Sequence, residues 1–420
     1  MTRRARDHLI DILRDEGVTH VFGNPGSTEM PLMDALVDAP DIAYVLGLQE
    51  ATAVGMADGW ALASGKVGFV NLHAMGGLGN AMGVLVASKA SETPLVVTAG
   101  QQDTRHLMSE PWLSGDLVAL AHPIAKWAKE VRRGEDVGPA LRRAFALART
   151  PPCGPVFLSL PMDVLDEEVV GPLAPASAAP RLGPSPEASR LAERLAAFDP
   201  EKVVVLLGDD LPASAAPGLV AFAESGGYHV LGTQLTSRTA FPSSHPCWSG
   251  VLKPDFAWMR ARFADTEAIV LVGGRAFVAY PYRNEKPLPD GVAFFHVADT
   301  AEAFGREHAP GLTTSAGTRS GPPSLHATQH TKDAAPRACR SVARSPARAV
   351  HIRGACAGSP SSSASGRPRA SRSSGDARRR RCERWRSVAM ASGGDSLHGG
   401  SIGVPGRGKK SPRLFRPGRT

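Results

Sequence analysis

Residues 42–66 read IAYVLGLQEATAVGMADGWALASGK, and this stretch decides the fold. An apolar run typical of a strand ends at a short polar corner, and a helix of small residues begins at the lone carboxylate of Glu50. Burying a carboxylate at such a corner is unfavourable unless a functional partner, such as a ligand, binds it. The structural alternative is a Glu in the first helical turn, where the helix dipole favours it. The neighbouring segments must decide between the two.

The same alternation of strand and helix extends over residues 1–170. Short Val-rich runs separate segments with helical periodicity, and the runs are residues 18–23, 42–48, 67–73, 94–100 and 155–161. Strands buried on both faces and separated by helices are typical of parallel sheets. The sequence therefore predicts a doubly wound α/β domain.

A second domain of the same class follows. Residues 171–186 are rich in Pro, Ala and Ser and predict a linker. The alternation returns over residues 187–308, and residues 309–420 predict a disordered basic tail. The expected fold is α/β, with two doubly wound parallel-sheet domains followed by that tail.

The charge of the chain belongs to the tail. Residues 311–420 hold 22 of the 48 Lys and Arg but 4 of the 40 Asp and Glu, a net charge of +18 that leaves −10 on residues 1–310. The tail is rich in Arg, Ser, Ala, Gly and Pro and has no periodicity. This composition suggests a GC-rich coding sequence translated in the wrong reading frame, and we expect a frameshift near residue 310. A nucleic-acid-binding arm centred on residues 378–381 is the less favoured interpretation.

Other classes of protein are not favoured. Cys153 and Cys247 stand alone in the first 310 residues, without the spacing of a metal site or a disulfide framework. No apolar run reaches about 18 residues, the length needed to span a membrane. We expect a soluble cytoplasmic protein.

Polar residues follow four of the predicted strands, at the sheet edge where ligands bind. They are Asn24–Pro25–Gly26–Ser27, Glu50, His73 and Gln101–Gln102. Taken alone, Ser27 is better explained as a helix N-cap and His73 as a structural histidine. Gly76, Gly77 and Gly79 would allow a close backbone approach before Asn80 opens a helix, but their spacing is not that of a phosphate loop.

Together these segments resemble one family. FGNPGS, LQE, NLH with a Gly-rich GN turn, and TAGQQ occur in the order and spacing of thiamine diphosphate-dependent 2-keto acid decarboxylases and acetolactate synthases, above all the benzoylformate decarboxylases. The resemblance is strong over residues 5–170 and looser over residues 187–308. It implies thiamine diphosphate and Mg²⁺ as cofactors, a small 2-keto acid as substrate, and a homodimer or homotetramer.

The resemblance also implies roles for individual residues. Glu50 would hydrogen-bond a ring nitrogen of the cofactor's aminopyrimidine and so promote formation of the ylide. Ser27 would bind the substrate carboxylate, and His73 would handle protons. The residues expected to shape the cofactor pocket are Pro25, Gly26 and Asn80.

Two departures from the family limit these expectations. Tyr280 stands where the benzoylformate decarboxylases have a second catalytic histidine. The Asp and Asn ligands of Mg²⁺ are also missing, because Gly208–Asp209–Asp210 has no Asn at the required distance. The sequence thus predicts no metal ligands and an inactive chain. The alternatives are an acetolactate synthase-like carboligase and a non-catalytic α/β remnant.

Overall fold

The computed structural model describes residues 3–173, 175–176, 187–234, 236–282, 284–300, 303–305 and 312–315. All of them lie within one contact unit, Met1–Arg344. Most of the predicted linker and, apart from residues 312–315, the predicted tail with residues 378–381 lie outside the described residues.

Strands and helices alternate through the first domain. The strands are β1 (Arg3–Arg4), β2 (His20–Gly23), β3 (Ala43–Leu46), β4 (Gly68–Leu72), β5 (Leu95–Gln101), β6 (Ala128–Glu130), β7 (Pro155–Pro161) and β8 (Glu168–Val169). The helices are α1 (Ala5–Asp15), α2 (Met30–Val37), α3 (Glu50–Ser64), α4 (Ala74–Ala90), α5 (Leu117–Ala121), α6 (Gly134–Arg149) and α7 (Met162–Asp166), with 3-10 turns at Ser27–Glu29 and Leu107–Ser109. A parallel six-stranded sheet has the order β3-β2-β4-β5-β7-β6, while β1 pairs with β8.

Both faces of this sheet are covered. Phe69 and Val96 belong to one buried apolar cluster, whereas their chain neighbours Val70 and Val97 belong to another. Successive side chains of a strand point to opposite faces, so the two clusters lie on opposite sides of the sheet. This arrangement confirms the predicted doubly wound architecture.

Strand β3, which precedes Glu50, departs from the prediction of strands buried on both faces. It lies at the edge of the sheet, and Leu46 is 56% exposed. Hydrophobicity alone does not reveal which strand lies at an edge, because the strand order is a property of the tertiary structure. The short edge strand β6, which has little apolar content, was not predicted.

The second domain repeats the architecture. Its strands are β9 (Val203–Leu207), β10 (His229–Gly232), β11 (Trp248–Val251), β12 (Ala268–Val272), β13 (Ala293–Ala298) and β14 (Leu312–Ser315), and its helices are α8 (Glu187–Leu195), α9 (Ala216–Gly226) and α10 (Phe256–Arg262), with 3-10 turns at Pro200–Lys202 and Ala213–Ala215. The sheet is parallel and has the order β11-β10-β9-β12-β13-β14. Apolar clusters again cover both faces.

Strand β14 corrects the predicted end of this domain at residue 308. It pairs in parallel with β13, with Leu312 opposite Phe295, so the sheet continues at least to Ser315. The sequence LTTS has a single apolar residue. Its strand conformation follows from pairing with β13 rather than from local hydrophobicity. Among the described helices, none is long and apolar enough to cross a bilayer.

Candidate active site

The candidate site lies where the strand order reverses. The chain passes from β2 outward to β3 and then returns to β4 on the other side of β2. Such a switch point opens a crevice at the carboxyl ends of the strands. Asn24, Glu50 and His73 directly follow or lie close after β2, β3 and β4, so the fold brings three of the four predicted segments to this crevice.

Glu50 is buried and is held by two amides. Glu50 is the first residue of α3 and is 7% exposed. Asn24 Nδ2 donates to Oε1 at 3.1 Å, and Asn80 Nδ2 donates to Oε2 at 3.0 Å. The N-cap of α3 is instead the side chain of Gln49, which accepts from the backbone N–H of Thr52. Glu50 does occupy the first helical turn, but its carboxylate accepts hydrogen bonds from residues outside its own helix.

Asn80 reaches Glu50 from within a helix. Helix α4 begins at Ala74, so Asn80 lies in its second turn rather than opening it, and the preceding glycines are helical rather than a loop. A Cβ at Gly77 would lie 3.2 Å from both Cγ and Oε1 of Glu50, closer than most Cβ contacts, so a larger residue there would require the carboxylate to shift. The glycine run therefore allows the helix to approach the carboxylate, which propensity alone does not indicate.

His73 is oriented by Glu29, a residue that the sequence reading missed. Its Nδ1 lies 2.8 Å from Glu29 Oε2 and 3.2 Å from Thr28 Oγ1. Because a carboxylate only accepts hydrogen bonds, Nδ1 is assigned the proton, and Nε2 is left as the second ring position for a ligand. The hydrogen bond to Glu29 raises the pKa of His73, against the opposing effect of burial.

The Glu29 carboxylate accepts four hydrogen bonds from the residues around it. The residue is 1% exposed, and each carboxylate oxygen accepts two hydrogen bonds. Oε2 accepts from His73 and from the backbone N–H of Gly26, while Oε1 accepts from Thr28 Oγ1 and the backbone N–H of Gly100, the last three at 2.8 Å. Four converging donors match an ionised carboxylate. The only local signal was a Glu three residues after Gly26, the spacing of a capping box.

The turn after β2 brings Gly26 against the His73 ring. A Cβ at Gly26 would overlap the imidazole, so only glycine lets the ring lie there. Ser27 follows with an exposed side chain, and its hydroxyl makes no capping hydrogen bond. The N-cap interpretation of Ser27 was therefore wrong, because the Glu29 carboxylate caps the turn instead. Pro25 is half-buried in the same turn.

The backbone beside His73 is strained. Ala74 is fully buried and has φ +49°, in the left-handed region that non-glycine residues seldom adopt. Strain of this kind is of the order of 1–3 kcal/mol and persists only where the surroundings impose it. The strained turn allows α4 to start immediately after His73, the last residue before the helix.

The side chains of the remaining predicted residues take no part in this cluster's hydrogen bonds. Gln101 donates to the carbonyl oxygen of Gly115 at 3.0 Å, and Gln102 donates to that of Trp112 at 2.9 Å. Both glutamines therefore organise the loop after β5. Tyr280 lies in the second domain after β12 and is 66% exposed.

The two carboxylates of Gly208–Asp209–Asp210 are held by groups of the protein. Asp209 forms an ion pair with Arg275, and Asp210 Oδ1 accepts from the backbone N–H of Gly274 at 2.8 Å. Burial raises the pKa of Asp210. Within the part of the chain that the structure describes, no group of three His, Cys, Asp or Glu side chains could hold a metal ion.

Comparison with known proteins decides the relationship. Residues 3–119 match the family described as thiamine pyrophosphate enzyme, N-terminal TPP binding domain. Residues 3–119 therefore form a thiamine pyrophosphate enzyme N-terminal domain. These residues include Glu50, His73 and Asn80, so the cluster lies inside the matched domain.

The relatives extend the similarity into the second domain. The chain is 39% identical over 301 residues to benzoylformate decarboxylase of Pseudomonas aeruginosa, a match that covers 70% of this chain and 56% of that enzyme. The structure of a thiamine diphosphate-dependent 4-hydroxybenzoylformate decarboxylase from Rhodococcus jostii matches with a TM-score of 0.72 and 32% identity, covering 80% of this chain and 64% of the other. An acetolactate synthase large subunit of Escherichia coli is 36% identical over 158 residues, 38% of this chain and 28% of that subunit. The chain thus spans a little over half the length of the decarboxylases it matches.

The residues present fit one end of thiamine diphosphate. Glu50 offers a buried carboxylate whose oxygens each hold one amide donor and retain further acceptor capacity. A protonated ring nitrogen is a suitable additional donor. The described residues show no comparable fit for Mg²⁺, since Asp209 and Asp210 are engaged by Arg275 and Gly274.

Proposed function

We propose that this chain represents the first two domains of a thiamine diphosphate-dependent decarboxylase that acts on a 2-keto acid. The observation that carries the proposal is the buried Glu50 carboxylate held between Asn24 and Asn80. When bound, thiamine diphosphate supplies an electron sink for the electron pair left by departing carbon dioxide.

Glu50 would hold a proton at a ring nitrogen of the aminopyrimidine. The amides of Asn24 and Asn80 orient its two oxygens, and Gly77 keeps the approach from α4 clear. A carboxylate that is already oriented and shielded from water stabilises the protonated form of a weakly basic ring more strongly than water does. Pro25 and Gly26 would form the adjoining wall of the pocket.

His73 and Ser27 would act on the substrate. Glu29 fixes the His73 tautomer through Nδ1, so Nε2 would donate or accept the proton that moves during the reaction. The exposed Ser27 hydroxyl at the start of the 3-10 turn would donate to the substrate carboxylate. Gly26 sets the spacing between the two groups by admitting the imidazole ring against the turn.

An acetolactate synthase-like carboligase is the second candidate. The similarity to an acetolactate synthase over 158 residues favours it. The exposed Tyr280, which stands where the resemblance implies a second catalytic histidine, favours it too. Tyrosine does not titrate near neutrality and could only donate a hydrogen bond. If the chain turns substrate over, product analysis with benzoylformate and with pyruvate separates an aldehyde product from a coupled hydroxyketone.

The decisive experiment is calorimetric titration of the chain with thiamine diphosphate and Mg²⁺. We expect saturable binding that weakens in Glu50→Gln and is unchanged in Glu110→Gln, an exposed control. We expect negligible turnover by the chain alone, because no group of three His, Cys, Asp or Glu side chains among its described residues could hold Mg²⁺. An absence of cofactor binding would favour the non-catalytic α/β remnant, and rapid carbon dioxide release would refute the expected inactivity.

A homodimer or homotetramer is part of the same proposal. The outer surfaces of α3 and α4 carry Gly55, Gly59, Gly79 and Gly83, and no described atom lies within 4 Å of a Cβ at any of them. Such positions permit close helix packing. Sedimentation velocity should show a dimer or tetramer that Gly59→Leu weakens, and a monomer at all concentrations would contradict this.

A further inference from the structure

Helix α4 of the first domain is bonded at its carboxyl end to a residue of the second domain. The carbonyl oxygens of Ala87, Ser88 and Lys89 accept from backbone N–H groups of the three residues that follow the helix. The last carbonyl oxygen of the helix, that of Ala90, accepts from Arg275 Nη2 at 2.8 Å. Because the carboxyl end of a helix carries partial negative charge, a guanidinium is a suitable partner for it.

Two loops of the second sheet present Arg275 to this helix. Strands β9 and β12 are neighbours, with Leu207 opposite Val272, so the loops that follow them lie side by side. Asp209, in the loop after β9, accepts from Arg275 Nε at 2.9 Å and from the Arg275 backbone N–H at 3.3 Å. This double contact orients the guanidinium that donates to Ala90.

The turn that carries Arg275 is held in place at its backbone. Asp210 Oδ1 accepts from the backbone N–H of Gly274 at 2.8 Å. Gly273 has φ +97°, and a Cβ there would lie 2.4 Å from the same Asp210 oxygen, so glycine is required at this position. The Asp209 side chain is 18% exposed and that of Arg275 is 39% exposed, so solvent only partly screens their ion pair. The two adjacent carboxylates thus hold the backbone and the side chain of one turn.

The other end of α4 lies in the candidate site. His73 directly precedes the helix, and Asn80, within the helix, donates to Glu50 at 3.0 Å. The helix has 17 residues, which corresponds to a length of about 25 Å, and its backbone hydrogen bonds make it move largely as one body. A shift of its carboxyl end would therefore change the approach of Asn80 to Glu50.

We propose that Asp209 and Arg275 form an interdomain latch that fixes α4, and that Arg275 is thereby a positioning residue for the contact between Asn80 and Glu50. The planar guanidinium suits this task because its N–H groups form a fixed fork that can serve a carboxylate and a carbonyl oxygen together. Arg275 acts on the site through the helix. The latch is a property of the packed chain and does not depend on cofactor binding.

Hydrogen exchange of the full chain, measured by mass spectrometry over residues 86–93, tests the latch. Arg275→Gln should speed exchange in this segment by roughly threefold to tenfold, because the last turn of α4 loses a charged hydrogen-bond donor. Asp209→Ala should have a similar effect, since it removes the carboxylate that orients Arg275. Combining the two substitutions should add little more, because both break the same contact.

A matched control is Lys202→Gln. It removes the exposed ion pair between Lys202 and Glu267, which lies at the amino-terminal edge of the same sheet. This variant should leave exchange over residues 86–93 unchanged. The latch is overturned if Arg275→Gln exchanges like the control, or if the effects of Arg275→Gln and Asp209→Ala add in full in the double variant.

The positioning role has its own measurement. The side-chain amide signals of Asn80 in ¹⁵N NMR report its hydrogen bond to Glu50. We expect these signals to shift in Arg275→Gln and to stay in place in Lys202→Gln. Asn80 signals that are identical in both variants would overturn the positioning role, even if the exchange of residues 86–93 had changed.

Discussion

Glu29 Oε2 lies 2.8 Å from His73 Nδ1, and the carboxylate is almost completely buried behind the imidazole. The two residues come from separate segments, the turn after β2 and the end of β4, and meet because those strands are neighbours. This contact sets the tautomer of His73 and stabilises its protonated form. The proton chemistry of the candidate site therefore depends on a residue that does not itself face the crevice.

Glu29→Gln should lower the pKa of His73. The hydrogen bond to a charged carboxylate is the largest cause of the raised pKa, and a neutral amide supplies a weaker acceptor. Titration of the His73 ring protons by NMR measures the change. Glu135→Gln, in an exposed pair with Arg133, is the control and should leave the His73 titration unchanged. An unaltered His73 pKa in Glu29→Gln would contradict the assigned role.

The same contact should make stability depend on pH. Because the pKa of His73 is raised in the folded state, its contribution to the free energy of unfolding is fully present below the unfolded pKa of about 6.5. It is lost as the pH rises through the folded-state pKa. Urea unfolding of the wild type and Glu29→Gln across this range should show a difference that shrinks with rising pH. A difference that grows with pH would have the wrong sign.

Gly26→Ala should displace the His73 ring. Gly26 has φ −133°, which alanine adopts easily, so overlap of the new Cβ with the imidazole is the main effect. Overpacking of this kind is expected to destabilise the fold by about 1–3 kcal/mol and to weaken the His73–Glu29 hydrogen bond. Gly138→Ala, inside α6, should instead be neutral or stabilising by up to about 1 kcal/mol, because its Cβ would make an ordinary contact of 3.5 Å with Ile12 Cδ1. Chemical unfolding of both variants gives the comparison, and equal effects would refute the steric argument.

Glu16→Gln should be strongly destabilising. The Arg142 side chain is 5% exposed and donates to Glu16 at 2.9 Å, tying α6 to the end of α1. Removing one charge of a buried pair leaves the other charge buried without full compensation, so the free energy of unfolding is expected to fall by about 3 kcal/mol. Urea unfolding measures it. The exposed Glu135→Gln variant should change stability little. A comparably small loss in Glu16→Gln would contradict the prediction and show that other partners of Arg142, among them Asp15 at 2.6 Å, suffice.

Much of the fold could be predicted from the sequence. Val-rich runs separated by helical periodicity indicated the strands β2, β4, β5 and β7, and their lack of polar alternation indicated a parallel sheet covered on both faces. Edge elements were predicted less well, because β6 and β14 have little apolar content and depend on pairing with a neighbour.

The candidate site could also be predicted only in part from the sequence. Glu50 and His73 could be placed together from the sequence, since residues after neighbouring parallel strands meet at one edge. Their partners could not, because Asn24, Asn80 and Glu29 reach them through side-chain directions that depend on how separate segments pack.

By itself, the sequence determined the two α/β domains, the edge that carries the site, and the carboxylate and imidazole placed there, because these follow from local periodicity and the direction of parallel strands. The tertiary structure alone decided that Glu29 holds His73 and that Asn80 reaches Glu50 from inside α4. Those relationships join residues far apart in the chain, and only the packed fold fixes their distances.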